Sequence, residues 1–521
     1  MNWISSIIRQ WVQPSRPRND LTPDLGLMRL EPRRVLNGDG VVSELVVDAG
    51  MDGDDGQADV FDVEINGQQI EVSRNGTLIE SVSSDRFDSV RLVGSSDDDS
   101  FRVRVDQTAG AIDVGVEGGD GQNVLQLQSL DRIEQLIHAL EDSDSGVLSF
   151  SEDANLSSVE YDGISQVDQQ FLVGRLTYEF ASGEDQVTVN AKAGIQSSST
   201  SSSGTELVIT RAGELGSSES MVISFFNPTE QLILNADSNA GADQDQFFLN
   251  GLGDSFDADF LFQGDELDRL NVIGDIQVGG NNIHIASGEV DIQSTIFMDG
   301  GDFEAQAGRS IELSESGSII NRSGNVVMES EVDTTVSGTI DVSGQSRGFI
   351  GGQIKLLGSS VTVTPSGRLD ASGDVGGGEI LLGGDFQGKN TDIRNAVDTR
   401  VERNAQIRAD GLRSGPGGRV IVWSDHRTEF LGNITTRGGE ERGDGGFVEV
   451  SGKQLSFDGF VDVAAIQGNS GQILIDPINI VIGSGSDANT SYIAAASLVS
   501  MLQSGPVTLQ ADNDISIDDG F

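Results

Sequence analysis

The chain has no cysteine among its 521 residues, so no disulfide framework and no thiolate metal site can be built from it. In a protein of this length that absence fits a long surface protein kept unfolded during export. Basic residues are few, 32 against 83 acidic ones, for a formal charge of -51. Phosphate binding needs a basic surface, so nucleic acid is excluded as a partner. No apolar run approaches 18 residues, which excludes a transmembrane helix. No nucleophile-elbow, phosphate-loop, zinc or nucleotide signature is present.

Proline is scarce at 9 residues, while glycine reaches 67. Valine, isoleucine and leucine alternate with polar residues, a pattern of many short strands joined by tight turns rather than of disorder. The length exceeds a typical single globular domain, so one elongated repetitive body is expected.

Residues 1–40 open on "MNWISSIIRQWVQPSRPRND", which lacks the apolar core of a signal peptide. Trp3, Ile4, Ile7, Ile8, Trp11 and Val12 share one face of a short helix, which either docks on its own protein or contacts a membrane surface or export machinery. The following "LMRLEPRRVLNGDG", Leu27 to Gly40, resembles the LEPR-x-L-L motif near the start of very large repetitive surface proteins. That resemblance implies export by some route; an outer-membrane export partner is a separate expectation.

Residues 41–275 read as β-rich, with strands punctuated by acidic turns such as "GSSDDDSFRVRV", "AGADQDQFFLN" and "QGDELDRLNVIG". An Asp or Asn stands two residues before an apolar residue, as at Asp99 and Phe101, Asn123 and Leu125, Asp185 and Val187, Asp245 and Phe247, and Asp268 and Leu270. The spacing matches the end of a calcium-binding β-roll repeat. Asp97, Asp99, Asp243, Asp245, Asp265 and Asp268 are therefore the calcium candidates. The competing reading is an Asx turn, in which the side chain caps backbone N–H groups before a strand. Within this region "SLDRIEQLIHALED", residues 129–142, spaces its apolar residues as a helix does, with His138 at the margin of that face. "QSSSTSSSGTE", residues 196–206, reads as an exposed polar loop.

Residues 276–483 are more regular. "GTIDVSG", "GRLDASG", "AQIRADG", "GNITTRGG" and "GFVDVAA" recur, starting at Gly338, Gly367, Ala405, Gly432 and Gly459. Each precedes a glycine-rich corner and a second alternating stretch, as in "GGQIKLLG" from Gly351 and "GGRVIVWS" from Gly417. Two or three short strands per repeat with small residues at the corners is what a parallel β-solenoid requires. Glycine pairs such as Gly351-Gly352 and Gly417-Gly418 are placed where the backbone must bend, and a β-branched replacement is expected to strain the corner.

The stretch 415–483, with GGRVIVWSD, GDGGFVEVSGK and a closing ILIDPINI, resembles the repeat region of filamentous-haemagglutinin-like exoproteins. The resemblance implies an all-β fold, a right-handed parallel β-helix, with a β-rich N-terminal region and a few short helices. It also implies an extracellular or cell-surface adhesin whose partners are host or neighbouring cell surfaces, glycans or extracellular matrix. The chain departs from the two-partner members of that family: it has no NPNG or NPNL motif, and "FFNPTEQL" is a poor substitute.

Residues 484–521 comprise a helix, "TSYIAAASLVSMLQSG", with Ile493, Ala496, Val499 and Leu502 expected on its packed face, and the start of a further strand pair. Ending inside a repeat suggests a piece or a short member of a longer protein.

Three functions follow as expectations. The first is a non-enzymatic adhesin or structural exoprotein. The second is a calcium-stabilised surface or matrix component. The third is a polysaccharide lyase or hydrolase, for which Asp425, His426, Glu429 and Asp444 are the candidate acid–base residues. Against the third, Asp425-His426-Arg427 has no counterpart in neighbouring repeats and reads as a polar corner between two strands.

Overall fold

A computed structural model describes residues 44–49, 57–66, 69–105, 112–129, 132–151, 156–180, 183–196, 201–212, 218–236, 244–253, 256–483 and 491–518. The N-terminal helix and the LEPR-like motif lie outside them. The fold is all-β, and its strands join one 37-stranded sheet and one 8-stranded sheet. Period-two alternation drives this: in Val60–Asn66, for example, Phe61, Val63 and Ile65 are buried while their neighbours face outward.

In the first half, parallel ladders carry the chain forward. Val60–Asn66 pairs with Ser100–Val105, that strand with Val124–Ser129, and that with Gln166–Gln170. The large sheet is nonetheless mixed rather than parallel throughout. Three antiparallel sets interrupt it: Val60–Asn66 with Gln69–Arg74 and Thr77–Ser83, Ile133–Leu140 with Gly146–Phe150 and Leu156–Asp162, and Asp185–Gln196 with Ser201–Ala212 and Ser218–Phe226. Pairing also crosses the expected boundary at 275, because Arg269–Val272 runs beside Ile283–Ile292.

From about residue 276 onward each repeat, here called a rung, places one strand in each of three ladders. The first ladder runs through Asn325–Ser330, Gln353–Leu357, Glu379–Leu382, Arg419–Val422, Phe447–Val450 and Gln472–Ile475. The second runs through Asp333–Val336, Ser360–Val363, Asp398–Val401, Arg427–Phe430 and Gln454–Phe457. The third is the 8-stranded sheet, in which Ile319, Ile340, Leu369, Ile407, Ile434 and Val461 fall in register. Ile354, Ile380, Val420, Val448 and Ile473 form the matching row of the first ladder, and all are buried. Each such side chain contributes about 1.5–3 kcal/mol of burial, which a single rung could not obtain alone.

Two kinds of corner fix the rungs. Between the third and first ladders, the second glycine of each pair donates its N–H back within the rung: Gly378 to Ala371 O, Gly418 to Ala409 O and Gly446 to Thr436 O, each at 2.7 Å. Between the first and second ladders, buried Thr334, Thr399 and Thr428 donate to the carbonyls of Leu357, Trp423 and Ser451 on the next rung, at 2.7, 2.6 and 2.7 Å.

Three local expectations are corrected. Residues 129–142 hold a strand, Ile133–Leu140, in place of a helix; Leu136, His138 and Leu140 face inward, so the true period is two and the histidine is one of the buried residues. The polar segment 196–206 is not a loop where it is described, since Ser201–Ala212 is a strand paired on both sides. The C-terminal helix, Ala495–Ser504, buries Ser497, Met501 and Ser504, whereas Val499 and Leu502 are more than half exposed. Its Ser504 hydroxyl donates to Val461 O at 3.2 Å, so small polar residues serve where the helix meets the sheet closely.

Candidate functional site

The acidic turns form two hydrogen-bonded ladders along the stack. Asp59 N–H donates to Asp99 Oδ1 at 2.7 Å, and Asp99 N–H donates to Asn123 Oδ1 at 2.8 Å. In the second ladder Asp185 N–H donates to Asp245 Oδ1 at 2.7 Å and Asp245 N–H to Asp268 Oδ1 at 3.0 Å. The second oxygens close the local turns: Asp99 Oδ2 accepts from Ser95 N–H at 2.6 Å, and Asp268 Oδ2 from Asp265 N–H at 2.7 Å. Asp265 Oδ1 in turn accepts from Leu267 N–H at 2.6 Å, and Asp97 N–H donates to Ser95 Oγ at 3.2 Å. Asp243 lies outside the described residues. Among the described residues, no three His, Asp or Glu side chains gather as a cation cage.

The carboxylates cap backbone N–H groups, those upstream in their own turn and those of the turn one rung before, while Asp265, accepting from Leu267 two residues on, makes an Asx turn proper. Replacing Asp99 by Ala orphans the N–H groups of Asp59 and Ser95, so we expect a loss of about 2–4 kcal/mol in denaturant unfolding. Millimolar calcium is expected to leave the unfolding midpoint of the parent protein unchanged; an upward shift that Asp99→Ala abolishes would support the cation reading.

The four acid–base candidates are each engaged separately. His426 Nδ1 lies 3.0 Å from Asp398 Oδ1 on an exposed corner. Asp425 Oδ1 accepts from Asn395 Nδ2 at 3.2 Å and from Trp423 Nε1 at 3.3 Å. Glu429 pairs with Arg400 at 3.2 Å, and Asp444 accepts from Asn469 N–H at 2.8 Å. Asp425 and His426 lie, as expected, in a polar corner between the strands Arg419–Val422 and Arg427–Phe430, and Arg427 opens the second strand.

A different cluster was not foreseen. On the outer face of the first ladder Leu381, Ile421, Glu449 and Leu474 fall in register. All four are buried, and the three apolar ones are separate from the main core. The connection that reaches this row is long, 383–397, where neighbouring rungs use only 423–426, 451–453 and 476–478. Ala396 N–H closes its neck on Gly383 O at 2.7 Å. At its tip Gln387 adopts a left-handed conformation, with φ of 53°. This aims its N–H at both carboxylate oxygens of Glu449, 3.2 Å from each, while its Nε2 donates to Asp476 Oδ2 at 2.7 Å.

Burial is the main cause that raises the Glu449 carboxyl to about 7, and the neighbouring Asp476 adds to it; the Gln387 N–H and the Ser451 hydroxyl oppose it. Arg419 is hydrogen-bonded to both Glu379 and Asp385, which ties the connection to the ladder at a second point. Phe386 lies against Phe447 with ring centroids 6.0 Å apart. Gly384 and Gly388 rest on Trp423: a Cβ at either would fall within 2.7 Å of the indole. The available sequence signal was the length of "GGDFQGKNTDIRNAV" relative to the other corners.

No known protein family matches the chain, and no curated protein does. One solved structure similar to it is the HMW1 secretion domain from Haemophilus influenzae, with 16% identity over 78% of this chain and 99% of that one, and a TM-score of 0.35. A likeness of that degree leaves function to be argued from this chain's own residues.

Proposed function

We propose that the protein is a non-enzymatic adhesin or structural exoprotein of the cell surface or extracellular space. In this reading its three ladders are the faces of a right-handed parallel β-helix. The supporting observation is the in-register stacking of rungs from residue 276 to 462, with inward rows constant in character and corners that differ from rung to rung. Such a body presents an extended surface whose corners can vary without disturbing the core. The partners that fit are cell surfaces, glycans or matrix, with an outer-membrane partner for export; the charge of -51 disfavours nucleic acid.

Purified protein is expected to bind immobilised cells, matrix or a neutral glycan panel in a saturable way and to cleave none of the glycans it binds. Absence of binding to every surface, together with a cytosolic native protein, would sink the reading. Release of reducing ends that Asp425→Ala and His426→Ala reduce would instead favour an enzyme.

A further inference from the structure

We propose that residues 383–397 are a strap across the outer face of the first ladder, and that proton uptake by Glu449 closes it. The strap reaches rungs on both sides of its own. Toward the N-terminal side, Arg394 Nη1 and Nη2 donate to the carbonyls of Ser330 and Glu331 at 3.1 and 2.9 Å. Toward the C-terminal side, Gln387 holds Glu449 and Asp476. Its hydrogen bonds to the rungs on either side are thus few, and between them it reaches a row of three apolar residues and one carboxyl at that carboxyl. Packing alone would be served by another Leu or Ile at 449, as at 381, 421 and 474. A carboxyl in that row is costly when ionised and covered, and is not costly when the strap is lifted.

The groups acting on Glu449 are Gln387 of the strap, Arg419 on the preceding strand, Ser451 on its own corner and Asp476 on the following rung; Glu379 and Asp385 are held by Arg419, and Lys389 acts on Asp476. Asp512 faces Asp476. Lys389 Nζ donates to Gln387 Oε1 at 2.7 Å and so supports the residue that touches the carboxyl. Arg419 is committed to Glu379 and Asp385, so it offsets little of the cost at Glu449.

The sign follows from linkage. The closed strap holds the Glu449 proton up to about pH 7, whereas an uncovered glutamate releases it near 4.5. Closure is therefore fully favoured below the lower value and weakens as pH rises, by roughly 300-fold in the closed-to-open ratio across that interval. Burial also raises Asp476, which acts in the same direction. The lowered Asp385 acts oppositely, but its contribution is already complete where Glu449 begins to change.

Trp423 beneath the strap provides the readout. In the full chain with Trp3→Phe and Trp11→Phe, acrylamide quenching of Trp423 is expected to rise at least about twofold from pH 5 to pH 8 as the strap loosens. Glu449→Gln should keep quenching low at both values. Gln387→Gly removes the tie to Asp476 but keeps the backbone donor; it should raise quenching at both pH values and retain the increase with pH. A parent protein flat across the range, Glu449→Gln following the parent, or Gln387→Gly without added quenching would each overturn the proposal. If Glu449→Gln does not fold, the parent and Gln387→Gly decide it.

Discussion

Gly418→Ala is expected to destabilise the protein by about 3 kcal/mol or more, although alanine is the smallest possible change and the backbone there is not left-handed. The cause is the approach of one rung to the next. A Cβ at Gly418 would lie 2.1 Å from the carbonyl oxygen of Gly378 and 2.9 Å from the Ala409 Cβ. Both obstacles are fixed, the first because it is main chain and the second because it has no rotamer to change. The same crowding recurs at Gly378, Gly446 and Gly471, where the oxygen of the preceding corner would lie 1.9, 2.1 and 2.0 Å away. Relief at one corner would therefore have to separate rungs whose strands are hydrogen-bonded throughout. Gly280→Ala is the control: its Cβ would meet Asp299 O at an ordinary 3.5 Å, and a change within about 1 kcal/mol is expected. Chemical denaturation of the two variants side by side tests this, and equal midpoints would refute the crowding account.

Acidification is expected to remove about 5 kcal/mol of stability through His138 alone. The ring is fully buried, with Nε2 2.8 Å from Tyr161 Oη and Nδ1 2.9 Å from Gln169 Nε2. Tyr178 Oη donates to the other end of Gln169 at 3.2 Å, and Tyr161 Oη donates to Met221 Sδ at 3.5 Å, so the network ends in a weak acceptor. Burial lowers the histidine from 6.5 to about 3. The unfolded chain takes a proton below 6.5 that the folded one refuses, so stability falls by about 1.4 kcal/mol per pH unit until the folded ring protonates near 3. Carboxylates titrate over part of the same range, and the difference between the parent and His138→Gln isolates the histidine. A variant with an unchanged acid slope would contradict the assignment.

That residue also shows where the sequence could be misread. In "LDRIEQLIHALED" the apolar letters at 133, 136, 137 and 140 fit a helical period only while His138 is counted as polar surface. Once the histidine is inside, 136, 138 and 140 alternate as in any strand. The second half was legible for the opposite reason. Val420, Val422, Phe430 and Ile434 are all fully buried, and Gly417 and Gly418 do occupy the crowded corner, because there apolar and small letters serve the purposes their chemistry suggests. The acidic turns were legible as turns whose side chains cap backbone N–H groups, but most of those N–H groups lie upstream or one rung away instead of two residues on. That each turn is completed by a residue 40, 24, 60 or 23 positions onward, as at Asp59 with Asp99 and Asp245 with Asp268, could not be seen without the pairing register. The strap was hidden more deeply. Glu449 is an outward letter on a strand, and nothing local says that a segment 62 residues away covers it.

The acidic ladders have a sense of direction. In every link described above, the earlier residue gives its N–H and the later one supplies the oxygen. A turn is consequently unfinished until the chain beyond it has arrived, and a lost carboxylate is felt by the turn before it as well as by its own. Damage would travel toward the N terminus, against the order of synthesis. On a growing chain each donor stands open until its acceptor, tens of residues later, has been made.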